Sequence, residues 1–284
     1  MFEYSTAFSR NIGWITEAEL AVIKKSKIGV AGLGGSGGEH CLTLARMGFE
    51  NFHISDFDEF EIHNFNRQAG AYVSTLNRPK CEVLAEMIKD INPLATVKQF
   101  PKGVNADNVH EFFDELDIYV DGIDFFALDA RKLVYSEAEK RGIPNLLAAP
   151  LGMSAALVCF DKDSMGYEEY YRFSTCKDKK EACIKLLMGL APSATHRNYL
   201  VDESTADFDK EKGPSTPMAI KLCSGLLVTQ VIKLVLGRGK VYKAPYSMQV
   251  DAYNHKYKIS KIPFGNNGPI QRIKYAMVKK LVSN

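Results

Sequence analysis

The apolar run Ile28-Gly29-Val30-Ala31 breaks directly into Gly32-Leu33-Gly34-Gly35-Ser36-Gly37-Gly38. A buried strand that ends in glycines and then starts a helix brings backbone N–H groups close to phosphate oxygens, with no Cβ in the way, at the positive end of a helix dipole. The same spacing also serves close packing of helix on strand. The turn alone therefore leaves two readings, a nucleotide cradle built on Gly32, Gly34, Gly35 and Gly37, or a packing device.

Beyond the turn, Glu39 to Met47 reads as a helix and Asn51 to Ser55 as a second strand, ending in Asp56-Phe57-Asp58. Asp56 follows Gly32 by 24 positions, near the spacing of a carboxylate that accepts hydrogen bonds from a ribose. A nicotinamide-dependent oxidoreductase needs little more. The chain, however, continues with His63-Asn64-Phe65-Asn66-Arg67-Gln68 and then Lys80 after Pro79. Arginine offers phosphate a planar fork and lysine a mobile point charge, which is equipment for a triphosphate. Taken singly, each of these residues reads as ordinary solvated surface.

Periodicity supplies the frame. Cys81, Leu84, Met87, Ile88 and Ile91 share a helical face, as do Ala106, Val109, Phe112, Phe113 and Leu116, and Ala127 to Lys140 reads as another helix. Thr96 to Phe100, Ile118 to Val120 and Asn145 to Ala149 read as strands between them. This alternation predicts an α/β fold: a Rossmann-like, mostly parallel sheet with helices on both faces. Ser154 to Phe160 and Tyr246 to Tyr253 lack a short crossover, so the C-terminal half extends the sheet with antiparallel strands. The expected organisation is one domain over residues 1–284, with a nucleotide-binding core at 1–152. A C-terminal extension at 153–284 holds a long irregular loop, Lys177 to Pro217, and an apolar helix within Leu222 to Leu236.

With 46% hydrophobic and 25% charged residues, the 284-residue chain has ample material for a core. A net charge of +2 argues against nucleic acid or an anionic membrane as partner. The first twenty residues carry Glu3, Arg10, Glu17 and Glu19 without an apolar run, so a cytoplasmic location is expected. None of the six cysteines forms a Cys-x-x-Cys pair, so no zinc site is expected.

The ordered set GLGGSGG, DFDEFEIHNFNRQ, RPK, INP (Ile91 to Pro93) and DGID (Asp121 to Asp124) resembles the ThiF/MoeB superfamily, which includes the ubiquitin-activating enzymes. The resemblance implies an enzyme that uses ATP and Mg²⁺ to adenylate a carboxylate, commonly the C-terminus of a ubiquitin-like or sulfur-carrier protein, or a peptide, releasing pyrophosphate. On it, Asp56 is the ribose ligand and Asp58 lies beside it on the nucleotide. Asn64, Arg67 and Lys80 form the triphosphate clamp, Gln68 is a further nucleotide-binding residue, and Asp124 is the Mg²⁺ carboxylate. Arg10, in Phe8-Ser9-Arg10-Asn11, matches an arginine that reaches across a homodimer. Cys176 falls where some members place a nucleophilic cysteine, and the following Lys177, Lys179 and Lys180 are of the kind that acidify a thiol. Such chemistry needs no general base, because a carboxylate is already ionised. An oxidoreductase, or an ATP-binding docking subunit without turnover, remain the alternatives.

Overall fold

The computed structural model describes residues 2–282 apart from 209. Helices α1 (Tyr4–Ala7) and α2 (Glu17–Lys25) precede β1 (Lys27–Ala31), followed by α3 (Gly35–Arg46), β2 (Asn51–Ser55), α4 (Lys80–Ile91), β3 (Thr96–Phe100), α5 (Val109–Phe112) and β4 (Ile118–Asp121). Next come α6 (Leu128–Arg141), β5 (Asn145–Leu151), β6 (Ser154–Phe160), α7 (Tyr167–Tyr171), α8 (Lys179–Leu190) and α9 (Pro217–Val235). The chain ends with β7 (Tyr246–Asp251), β8 (Lys256–Lys261) and α10 (Pro269–Val282). It divides into two compact units, Met1–Asp124 with Ser224–Val241, and Phe125–Cys223 with Tyr242–Asn284.

In the first unit β3, β2, β1 and β4 lie side by side, all parallel, with Ile28 opposite both Phe52 and Ile118. This is the strand order 3-2-1-4 of a Rossmann-like half. Every residue from Ile28 to Ala31, Phe52 to Ser55 and Ile118 to Asp121 is buried, as in strands covered on both faces, although β2 keeps polar His53 and Ser55 in that interior. Helix α3 packs on β1 and β4, and α4 on β2 and β3. A capping box between Thr16 and Glu19 fixes the start of α2.

The second unit is antiparallel, β5 with β6, β6 with β7 and β7 with β8. The expected α/β class, parallel and Rossmann-like first and antiparallel in the C-terminal half, is the architecture found. Tyr167, Tyr170 and Tyr171 are buried, and the Tyr170 hydroxyl donates to the Gly189 carbonyl at 2.8 Å, so these aromatics are core packing.

Three expectations need correction. The helix expected over residues 106–116 shrinks to the single turn α5, because an Asn105 side chain captures the Asp107 N–H before it and Glu115 takes a left-handed φ of 55° after it. The stretch from Lys177 to Pro217 is not irregular throughout. It contains the 12-residue α8, capped by Asp178, whose carboxylate accepts the Glu181 N–H at 2.8 Å. The apolar run near Leu222 starts earlier, at Pro217. The resulting α9, 19 residues, is long and apolar enough by length and composition to cross a membrane. Its Leu227 and Val231 are buried, and Ser224 Oγ donates to Glu39 O at 3.1 Å and contacts Thr43 Oγ at 2.8 Å, which seats that half of α9 on α3 as an interior helix.

Candidate nucleotide site

Strand β1 leaves the sheet through Gly32, whose φ of +83° suits glycine, and Gly34 caps α3 without any side-chain hydrogen bond. The first N–H groups of α3 are therefore left without a capping side chain, in the arrangement that binds anions. The glycines divide by role. A Cβ on Gly32 would stand closer than 3 Å to the Gly122 backbone, and one on Gly37 equally close to the Gly32 carbonyl. Those two serve backbone packing. At Gly34 the nearest atom is the Gln68 amide nitrogen, 3.7 Å away, so this position faces open space with an amide at its rim.

Asp56 stands where β2 ends. Its carboxylate accepts the Leu33 N–H at 2.6 Å and the Asp58 N–H at 2.8 Å, tying the glycine turn to the neighbouring strand end. Burial pushes its pKa up, opposed by the positive charge of Lys80 and by these N–H donors. Lys80, the first residue of α4, is only 5% exposed, and its ammonium sits 2.8 Å from the Asp58 carboxylate. A buried ammonium paired with Asp58 and acting to lower the pKa of Asp56, where a parallel strand ends, is a cation in place for an incoming anion.

Gln68 is buried, and its Oε1 has no hydrogen-bond partner. A buried acceptor left unsatisfied costs free energy until a donor reaches it. Together with the open face of Gly34, the uncapped α3 and Lys80, it makes a set of groups that fits a nucleotide. Arg67 is half-buried, and its guanidinium bonds the His63 carbonyl and the Asn66 side chain, each at 2.9 Å. Asn64 is buried and accepts the Glu61 N–H within its own turn at 3.0 Å. Asp124 is exposed, two residues beyond the Gly122 that touches Gly32, and Arg10 is exposed on the turn Ser9–Asn11. Contacts thus join the glycine turn, Asp56, Asp58, Gln68 and Lys80. Asn64 and Arg67 hold their own loop together, and Arg10 stands apart.

Two contributions escaped the sequence reading. Cys81 Sγ accepts the Asp56 N–H at 3.1 Å and donates to the Asp56 carbonyl at 3.3 Å, so it positions Asp56 as well as filling space. Gly122, already visible within Asp121-Gly122-Ile123-Asp124, meets Gly32 backbone to backbone, a packing role the motif did not reveal.

The lysine argument for Cys176 fails. Burial pushes its thiol up, the cation that opposes this is Lys185, and Lys179 is paired with Glu211. Cys183 lies buried inside α8. Among the described residues no group of three or more His, Cys, Asp or Glu side chains is arranged to hold a metal.

A parallel sheet whose first strand delivers a glycine turn to an uncapped helix defines a Rossmann-type nucleotide-binding protein. The ThiF family matches residues 8–268, and the chain belongs to that family. It is 34% identical over 138 residues to a tRNA threonylcarbamoyladenosine dehydratase of Bacillus subtilis strain 168, covering 48% of this chain and 54% of that protein. It is 27% identical over 154 residues to the adenylyltransferase and sulfurtransferase UBA4 of Candida glabrata, covering 54% and 35%. The chain spans about half the length or less of these relatives. Its fold is that of Escherichia coli MccB, solved with ATP, at a TM-score of 0.65 and 17% identity, covering 89% of this chain and 69% of that one.

Proposed function

We propose that this chain adenylates a carboxylate with ATP, releasing pyrophosphate. The observation that carries the reading is Lys80: a buried ammonium held by Asp58 beside the uncapped start of α3. A nicotinamide enzyme would use a cation at this strand end only for a 2′-phosphate, and the family assignment adds its weight against an oxidoreductase.

The residues divide the work. The free N–H groups of α3 and Gln68 receive the nucleotide, and Asp56, held through Leu33, presents carboxylate oxygens to the ribose. As the substrate carboxylate attacks the α-phosphate, charge grows on the oxygens leaving toward pyrophosphate, and Lys80 and Arg67 stabilise it. Arg67 exchanges its loop carbonyl for phosphate oxygens. Asp124 is suited to Mg²⁺, which takes one or two carboxylates and completes its shell with phosphates and water, and which supplies further positive charge when bound. The carboxylate belongs to a ubiquitin-like or sulfur-carrier protein or a peptide, and the enzyme is cytoplasmic.

The test is ATP–pyrophosphate exchange by the purified chain with carrier proteins, peptides or tRNA added separately. Exchange that requires one addition and disappears in Asp124→Ala supports the reading and names the substrate. ATP binding without exchange under every addition overturns it in favour of a docking role.

The reading includes a homodimer. Ile62 and Val73, 75% and 84% exposed, flank Arg67 in sequence and suit a second copy as cover. With Arg10 acting in trans, mixing inactive Arg10→Ala with inactive Asp124→Ala restores up to about a quarter of the activity, the share expected of one intact site among random pairings. No recovery from subunits shown to exchange removes the role given to Arg10.

A further inference from the structure

The charge of this chain is unevenly spread. After Asp251 the sequence holds seven Lys and Arg and neither Asp nor Glu, so the net +2 conceals a strongly basic C-terminal stretch. That stretch builds β8 and α10. Lys256, Lys258 and Lys261 stand exposed on β8, which is paired on one side with β7 and ends the sheet. Lysines on an edge strand also guard against pairing with other chains, so those on β8 alone call for no ligand.

Helix α10 adds what such a guard does not use. One flank packs inward: Gln271 is buried and its amide donates to the Met188 carbonyl at 3.2 Å, and the Tyr275 hydroxyl donates to Glu181 on α8. Ile270, Ile273 and Met277 fall on a different flank, at the i, i+3, i+7 spacing of one helical stripe, and are 68%, 59% and 63% exposed. Lys274 donates to the Pro192 carbonyl at 2.8 Å, while the Oγ atoms of Ser193 and Ser260, a residue of β8, are 3.1 Å apart. Adjacent residues of one turn thus anchor α10 and β8, and the cations of both border one surface. The carboxylate that α10 holds, Glu181, is buried and already bonded to Tyr275 and Lys279.

These features select the occupant. Two-fold pairing with a second copy through this face would set like charges against one another. Nucleic acid would neutralise the cations but leave three aliphatic side chains unrewarded, since its bases stack on aromatic rings. An anionic bilayer takes both kinds of group: apolar side chains enter the boundary between headgroups and acyl chains, and lysines meet the headgroups. It also asks for no shaped groove.

We propose that α10, with β8 beside it, docks this chain on an anionic lipid bilayer, with Ile270, Ile273 and Met277 entering the surface. The proposal goes beyond the adenylation reading and does not rest on it.

Sedimentation of the full chain with lipid vesicles tests it. Binding to equal parts phosphatidylserine and phosphatidylcholine is expected to be at least about tenfold tighter than to phosphatidylcholine alone, and to weaken as salt is raised. Ile273→Ser should weaken binding to the mixed vesicles about tenfold, the worth of one buried aliphatic side chain, with the melting temperature unchanged. Met277→Trp should show blue-shifted emission on the mixed vesicles beyond any change in the parent's Trp14 signal, the mark of insertion rather than adsorption by charge. This probe keeps an apolar side chain at an exposed position, so a poorly folding Ile273→Ser leaves the test intact. Equal binding to both vesicle types, binding to neither, binding without the blue shift, or displacement from the vesicles by RNA or poly-glutamate would each overturn the proposal.

Discussion

The two compact units of this chain carry opposite net charge, and close glycine–backbone contacts and aromatic clusters occur in both, in different places. The first holds 14 Lys and Arg against 19 Asp and Glu, the second 22 against 15. In the first, key contacts are made by backbone against backbone, as where Gly32 meets Gly122. In the second, large rings fill the interior, with Phe160 against Tyr135, Tyr167, Tyr170 and Tyr171. In the acidic unit Lys80 is a cation held buried against Asp58 at the end of the sheet. A basic unit has surface suited to an acidic partner. The contrast is between glycine contacts that hold the turn after β1 and rings that fill the interior behind β6.

The hardest test of that contrast is a methyl group. Gly37→Ala forces a Cβ onto the Gly32 carbonyl, backbone that has no rotamer with which to yield, and should cost at least about 4 kcal/mol or abolish folding and ATP binding together. Gly213→Ala, in the second unit with nothing within 4 Å, should change stability by no more than about 0.5 kcal/mol. Thermal melts of the two variants suffice; similar melting temperatures would dissolve the distinction.

Next in size is the cation. Lys80→Met should slow ATP–pyrophosphate exchange about 100- to 1,000-fold, the loss of one preorganised charge, about 2.7–4 kcal/mol. Cys176→Ala should leave exchange within about twofold, since a cysteine that takes the acyl group acts only after pyrophosphate has left. Initial-rate measurements on both decide it, and a Cys176→Ala enzyme as impaired as Lys80→Met would shift chemistry into the second unit.

The smallest effect concerns acid. Glu181, in the second unit, accepts hydrogen bonds from Tyr275, the Lys177 N–H and Lys279, and its pKa falls from 4.5 to about 2, led by the Tyr275 hydroxyl. A carboxylate lowered on folding contributes stability above its unfolded pKa and loses it as pH falls through the folded value. Asp56, in the first unit, is shifted upward by burial, so its folded form binds a proton more readily and acid relieves rather than weakens it. Glu181→Gln should therefore flatten the fall in melting temperature between pH 5 and about 2, and Asp56→Asn should steepen it. Identical slopes in both variants and the parent would contradict the opposite shifts.

What could be read from the sequence follows the same division. Strands β1 and β4 are buried on both faces and so appear as short apolar runs, while Asp56 was visible by its spacing from the glycine turn and Gln68 and Lys80 by the order of the motifs that hold them. Helix α8 was hidden by Gly189 and Pro192 just at and beyond its end, although Asp178 three residues before Glu181 was a capping signal in plain view. Strand β8, Lys256–Lys261, has mostly exposed side chains and so shows no apolar alternation. For Cys176 the sequence pointed to the lysines that follow it, whereas the cation that opposes the effect of burial on its thiol is Lys185, and Lys179 is paired with Glu211.

The meeting of Gly32, Gly37 and Gly122 also limits how the chain can be repaired. A clash between side chains can be suppressed by trimming the neighbour, but at these three positions the neighbour is itself a glycine and has nothing left to remove. Compensating second-site changes for Gly37→Ala should therefore be missing from its immediate surroundings, and selections for restored growth should return the original codon or changes in distant, globally stabilising positions.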